Sequence, residues 1–313
     1  MTDPSSRHVP EVQPGAVPAP AATAAAPMSV TAAATRRAGR HEVWCRFRRN
    51  RLAMAGLVFL VLLVLAAVLA PWITPVGVTE RSSHFRSPPS RAHWFGTDLI
   101  GRDVFSRVVY GARVSLTIGV AATAMSVAIG VLLGAVAGFV GGIVDTLIMR
   151  VTDVFLAIPY VLLAVAIATV LGRSQSSVIL VLGLTGWLAV CRIVRASFLS
   201  LREQEFVEAA RALGFTRSRI MFRHMLPNAM QPVVVYGTIA IGTAVLAEAA
   251  LSFLGVGPQE PTPAWGLMVW QGKGDLANAP HLLFFPATAL AMTVVAFVFV
   301  GDGLRDALDP TLT

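Results

Sequence analysis

Residues 201–228 read LREQEFVEAARALGFTRSRIMFRHMLPN, a charged island between long apolar runs. From Arg202 to Leu213 nothing breaks a helix, and Phe206, Val207, Ala210 and Leu213 recur at helical spacing. Gly214 tolerates left-handed backbone and stops that helix. Thr216 is placed to cap a second short helix, Arg217 to Met225, which Pro227 closes. The pattern is helix, glycine hinge, helix. Its apolar faces are too short to span a bilayer and too apolar to stay bare in water. Such a bracket docks, either onto its own protein as an ordinary cytoplasmic loop or onto a partner. Periodicity alone does not separate the two.

The chain around it is built for lipid. Of 313 residues, 55% are hydrophobic and 13% charged, against about 25% charged in a soluble domain. Several apolar runs are long enough to cross the ~30 Å of bilayer hydrocarbon. The class is all-α integral membrane. The net charge of +8 is almost entirely arginine, with Lys273 the only lysine. No basic stripe is interleaved with aromatics, so nucleic acid is excluded as a partner and membrane topology accounts for the charge. Cys45 and Cys191 lack metal-ligand spacing and imply no disulfide frame. No phosphate-cradling GxxxxGK[ST] loop occurs, since Gly272-Lys273-Gly274 is not one. HExxH, GxSxG and a His/Cys/Glu ligand set are also missing. The chain is therefore expected to be no enzyme and to bind no cofactor of its own.

Six transmembrane helices are expected. Residues 1–42, rich in Ala, Pro, Ser and Thr, read as a disordered cytoplasmic tail; the Ala-rich part at 21–26 lacks the aliphatic core of a signal peptide. Arg36, Arg37, Arg40, Arg46, Arg48, Arg49 and Arg51 hold the N-terminus inside. The first span is 52–73, with Trp72 at its far interface. An extracytoplasmic segment, 75–107, follows; its arginines and aspartates read as a folded turn with an Arg–Asp pairing role rather than a substrate contact. The second span, 114–140, carries Gly130, Gly134 and Gly138, with Gly142 next in register, a face for close helix approach. The third, 143–171, carries Asp145, Arg150 and Asp153, and Pro159 is placed to kink it. Arg150 and Asp153 have pairing distance on a helix, so the charges read as an interfacial structural pair; a substrate or proton path is the alternative. The fourth span is 177–194, followed by arginines that place the 201–228 loop in the cytoplasm. The fifth, 229–254, contains Glu248, for which a polar helix contact outweighs a carrier role. The sixth is 281–300, and both termini lie inside.

The loop resembles a known signature. Glu208-Ala209-Ala210, then Gly214, then Leu226-Pro227, is similar to the "EAA" loop of ABC importer permeases, with His224 where that family usually has an aliphatic residue. GTDxxGRD at 96–103, LSFLGVG at 251–257 and GDGLRDALDP at 301–310 resemble the dipeptide/oligopeptide/nickel branch, above all the second permease of a peptide system. The resemblance covers 43–310 and implies a type I importer permease with 201–228 as a cytoplasmic coupling loop. Glu205, Phe206, Val207, Glu208, Ala209, Ala210, Arg211 and Gly214 would couple to the ATPase. Phe206, Val207 and Ala210 would dock, and Glu208 and Arg211 would orient. ATP and Mg would sit on partner subunits. The implied partners are a second permease, one or two cytoplasmic ATPase subunits, an extracytoplasmic substrate-binding protein and the lipid of a bacterial inner membrane. The expected activity is ATP-driven import of di- or oligopeptides; nickel or another small solute is the nearer alternative. A different class, an ion-coupled secondary transporter, would need Glu248, Asp145 or Asp153 as carrier carboxylate.

Overall fold

In hydrocarbon an unbonded backbone amide has no water to turn to, so uncharged runs of Leu, Val, Ala and Ile close their own hydrogen bonds as helices. The computed structural model of the chain describes residues 40–309 apart from Pro75, and the expected disordered tail lies almost wholly outside them. A short helix α1 (Arg40–Arg49) leads into α2 (Arg51–Val68), whose start is capped by Asn50 accepting from the Ala53 amide at 3.1 Å. A single turn, α3 (Ala70–Ile73), leaves Trp72 exposed at its end. After the 75–103 segment come α4 (Val104–Val140), α5 (Gly142–Ala157), α6 (Tyr160–Leu171) and α7 (Gln175–Leu201). The second half holds α8 (Glu205–Ala212), α9 (Arg217–Arg219), a π-helical turn Ile220–Met225, α10 (Leu226–Phe253), α11 (Trp265–Gly272) and α12 (His281–Leu308). Among the described residues, five helices are long and apolar enough to cross a membrane, and the bent pair α5–α6, counted as one span, brings the number to six.

Several boundaries fall outside the apolar runs. The helix that carries the expected second span begins at Val104, where Asp103 caps it by accepting from the Ser106 amide at 2.8 Å. The helix that carries the expected fourth span begins at Gln175, capped by Ser174, and continues past 194 to Leu201. Arginines 192 and 195 lie inside this helix, and each is neutralised by a carboxylate on α5. Arg192 Nη2 donates to Asp153 Oδ1 at 2.7 Å, and Arg195 forks onto Asp145, its Nη2 to Oδ2 at 2.6 Å. The expected Arg150–Asp153 pair is corrected by this: Asp153 turns to the neighbouring helix.

The glycine face is real but ends early. A Cβ on Gly130 would stand 2.5 Å from the Val190 Cβ, on Gly134 2.5 Å from the Cys191 carbonyl oxygen, and on Gly138 2.5 Å from the Phe198 Cβ. These three let α4 and α7 meet backbone to backbone. Gly142 is not on that face; it has φ +57 and opens α5 after a break at Gly141. At Pro159 the chain turns by 90° between α5 and α6, far more than a kink. Proline disfavours helical backbone at the residue before it, and Ile158 takes the extended conformation, φ −93 and ψ 127.

The long α4 joins two packed ends. Near its start, Val104, Val108 and Ala112 pack with Val245, Trp265, Met268 and Leu282. Near its finish, Ala135 packs with Val190, Val194 and Phe198 and, from beyond α7, with Val207, Ala210, Ile220 and Met225. At a rise of about 1.5 Å per residue these ends lie on the order of 50 Å apart. The 201–228 bracket sits at one end; the 98–107 and 260–273 segments sit at the other.

Candidate functional site

The bracket at 201–228 begins with α8, whose first turn holds Glu205 and Glu208 and whose last holds Arg211. Acidic residues at the N-terminus and a base at the C-terminus both match the helix dipole. The helix has two faces. Val207 and Ala210 are buried, packed on Val194, Phe198, Ile220 and Met225 of the same chain. Glu205, Phe206, Glu208, Ala209, Arg211 and Gly214 are exposed, and Leu213 extends the outward apolar surface. The expectation that Val207 and Ala210 dock a partner is therefore corrected. They anchor the helix to its own chain, and of the three apolar residues expected to dock, Phe206 is the one left exposed. Helical spacing shows which residues share a stripe, and here the stripe was split between an inward and an outward use.

Gly214 ends α8 for the reason its residue type suggested. Its φ is +73 and no atom lies within 4 Å of a would-be Cβ, so conformation rather than space requires glycine. The Gly214 amide donates to the Arg211 carbonyl at 2.9 Å and the Phe215 amide to the Ala210 carbonyl at 3.1 Å. That pair of bonds is a Schellman stop. Thr216 then caps α9, its hydroxyl accepting from the Arg219 amide at 3.4 Å.

The second short helix does not close at Pro227. The backbone passes through the π turn Ile220–Met225 into α10 without a loop, and Arg217–Phe253 forms one continuous apolar rod. A proline ring clashes with the carbonyl four residues back; the wider π turn makes room for it, and Pro227 falls in the first turn of the α-helix that follows. Asn228 donates its side-chain amide to the His224 carbonyl at 2.6 Å. His224, the departure from the usual aliphatic residue, stacks on Phe215 with ring centroids 5.6 Å apart, and Arg219 covers the same ring at 4.3 Å. The imidazole thus fills the apolar role with a flat ring and fixes the hinge against α9.

The opposite end holds the second charged constellation. Arg102 Nε donates to Asp98 Oδ2 at 2.6 Å, Arg107 Nη2 to Glu260 Oε1 at 2.9 Å, and Gln271 Nε2 to the same oxygen at 2.6 Å. Arg102 also forks onto both oxygens of Glu260. The expected Arg–Asp pairing is present, but Glu260 is the hub and the sequence reading missed it. The segment 98–107 holds two arginines and two aspartates and so reads as balanced in sequence; no local signal pointed to a third carboxylate from residue 260. Burial alone would raise the Glu260 carboxyl; hydrogen bonds from Arg102, Arg107 and Gln271 outweigh it and hold it at about 2. Burial alone would lower Arg102, and Glu260 and Asp98 together raise it instead. Glu248 is separate. It is fully buried in α10, with Ser252 donating to Oε1 at 2.7 Å and Ser115 to Oε2 at 3.1 Å, a polar helix contact.

Residues 130–313 match the family model of binding-protein-dependent transport system inner membrane components, and residues 40–89 match that of the N-terminal transmembrane domain of oligopeptide transport permease C. The glutathione transport system permease protein GsiD of Shigella flexneri serotype 5b is 47% identical over 274 residues, 87% of this chain and 90% of that protein. GsiD of Escherichia coli O6:K15:H31 is 45% identical over the same shares. Among solved structures, the MetNI methionine ABC transporter in inward-facing conformation aligns with a TM-score of 0.54 at 21% identity, covering 66% of this chain and 97% of the matched one. That likeness concerns the fold. The bracket, the helix bundle and these matches agree: the chain belongs to the binding-protein-dependent transport system inner membrane components, the non-catalytic permease subunits of ABC importers.

Proposed function

We propose that this chain forms half of the translocation path for short peptides, glutathione-like ones included, in an importer driven by partner ATPases. The observation that carries the reading is the two-faced α8. Glu205, Phe206, Glu208 and Arg211 face outward on a helix that Val207 and Ala210 fasten to α7 and α10. A cytoplasmic ATPase subunit would take that outer face in a groove. The relatives' name as glutathione permeases supports the peptide assignment over nickel. The second half of the path would come from another permease. One or two ATPases would carry ATP and Mg, and a binding protein would deliver cargo at the 98–107 end. Both termini and the bracket would then lie in the cytoplasm of a bacterial inner-membrane system.

The mechanism follows from rigid connections. ATP draws the two ATPases together and carries α8 with them. The inner face of α8 passes the displacement to α7, and the unbroken rod Arg217–Phe253 passes it across the membrane. α5 follows α7, tied by Asp145–Arg195 and Asp153–Arg192. Between α4, α5, α6, α7 and α10 lies a cavity of about 270 Å³ whose wall is mostly apolar, with Thr123, Ser126, Tyr160, Thr185, Tyr236 and Thr243 among it. No charged side chain lines it, which suits it to passing a peptide without trapping it. Glu248, on which an ion-coupled carrier would turn, does not line this cavity and is enclosed by two serines.

The test is co-purification from native membrane, followed by ATPase assay with and without peptide and binding protein. Co-isolated ATP-binding chains, a second permease and peptide-stimulated hydrolysis are expected. A chain that purifies alone and drives uptake from a proton gradient after ATP depletion overturns the reading.

A further inference from the structure

At the end of the bundle away from α8 lies a cavity of about 850 Å³, inside the ~300–1,000 Å³ range of small-molecule sites. Its charged wall is made by Arg81, Arg102, Arg107, Lys273, Asp98 and Glu260. Four cations face two carboxylates there, a formal surplus of two positive charges. Pro261, Met268 and Trp270 supply apolar wall. The ion network inside uses much of Arg102, but not all of the cationic surface. Nη1 of Arg107 is buried and makes no hydrogen bond, with Asp98 Oδ2 at 3.7 Å. Lys273 rests its ammonium over the faces of Phe253 at 4.6 Å and Trp270 at 5.3 Å and makes no ion pair among the described residues.

A desolvated guanidinium N–H without an acceptor is unfavourable, and an oxyanion removes that penalty. A planar carboxylate matches the guanidinium fork better than a neutral oxygen does. The apolar wall and the volume suit a small organic acid rather than an inorganic ion. Asp98 and Glu260 on the same wall are already taken up by Arg102, Arg107 and Gln271, so what the wall offers a ligand is its cationic surplus. Among the solutes a peptide importer carries, that description fits the free carboxylate end of a short peptide.

We propose that this cavity receives the C-terminal carboxylate of a short peptide, bound by Arg107 and Lys273, before the peptide enters the path between the helices. The proposal rests on the peptide-importer reading above. It concerns the permease rather than the binding protein, so the comparison must hold the binding protein constant.

The probes are tri-alanine and tri-alanine C-terminal amide, taken up by proteoliposomes containing the complete importer with its own binding protein. Lys273→Gln and Arg107→Gln are each expected to raise KM for tri-alanine about tenfold, the loss of one charge-assisted hydrogen bond, and to leave KM for the amide unchanged. Lys273 stands outside the ion network, so its variant folds and decides the matter even if Arg107→Gln fails to assemble. ATP-driven uptake with equal shifts for acid and amide, or with no shift in Lys273→Gln, overturns the site and leaves the peptide-importer reading intact. A wild-type importer that assembles and hydrolyses ATP but carries neither probe overturns both.

Discussion

Arg102 and Glu260, 158 positions apart, meet in a two-point bond: Nη1 to Oε2 at 2.5 Å and Nη2 to Oε1 at 3.1 Å. Arg102 precedes the first residue of α4, and Glu260 lies between α10 and α11. The pair therefore ties the two extra-helical segments of that end to one another. Because Arg107 and Gln271 also donate to Glu260, one carboxylate accepts from three side chains.

Glu260→Gln should destabilise the assembled permease by about 2 kcal/mol. That is below the ~3–5 kcal/mol for breaking a fully buried pair, because the Glu260 side chain is 36% exposed. The pH dependence has a definite sign. The folded carboxyl is held at about 2, below its ordinary 4.5, so its contribution is complete above the ordinary value and fades as pH falls through about 2. Thermal unfolding of wild type and variant should differ by a constant margin from pH 8 to pH 5. The margin should narrow below pH 4. A margin that grows on acidification is incompatible with this pairing.

The two faces of α8 should separate in mutagenesis. Phe206→Ala removes an exposed aromatic and should weaken ATPase association by about 2 kcal/mol, as an interface anchor does, with the permease's own unfolding unchanged. Val207→Ala deletes two buried methyl groups, about 1.6 kcal/mol at ~0.8 per carbon plus a cavity contribution. It should lower permease stability first and association only as a consequence. Pull-down of the ATPase alongside thermal unfolding distinguishes them. Equal effects of both variants on association alone would contradict the burial of Val207.

Spans and the bracket were legible in the sequence because lipid forces apolar runs into helices and because Gly214 and Thr216 have local reasons for their positions. Pairings across the fold were not legible. Local spacing pairs Asp153 with Arg150, three residues before it, yet Arg192 on α7 is its partner, since a helix pair brings together residues that no local spacing connects. Glu260 was invisible for the same reason. Pro227 misled because a local rule, that proline ends a helix, ignores the option of a π turn before it. Val207 and Phe206 shared a periodic stripe, and only packing against Phe198 shows which side of it turns inward.

Gly134 and Gly142 lie in one sequence register but should respond to alanine for different reasons. A Cβ at Gly134 would stand 2.5 Å from the Cys191 carbonyl oxygen. Backbone cannot yield as a side-chain tip can, so α4 and α7 must separate, at about 1–3 kcal/mol. Gly142 has no atom within 4 Å and bears only its φ of +57, about 1–2 kcal/mol of backbone strain. Cross-linking yield between cysteines placed on α4 and α7 should fall in Gly134→Ala and hold in Gly142→Ala.

Gly214 offers the sharpest test of coupling. Gly214→Ala retains the Schellman bonds and meets no neighbour, so it should cost about 1–2 kcal/mol locally and leave measurable uptake. Gly214→Pro fixes φ near −65° where the chain has +73 and deletes the amide that donates to Arg211. The turn between α8 and α9 cannot then form, and α8 loses its fixed angle to the rod that starts at Arg217. Glu208→Arg acts differently: it opposes the helix dipole and reverses charge on the outward face while keeping the turn. Both variants should insert normally, as shown by accessibility labelling of the loops, yet lose most ATP-driven uptake. In Gly214→Pro the ATPase should still bind but hydrolyse without transport. In Glu208→Arg binding itself should weaken. Normal uptake in both would mean that the bracket merely lies on its own protein.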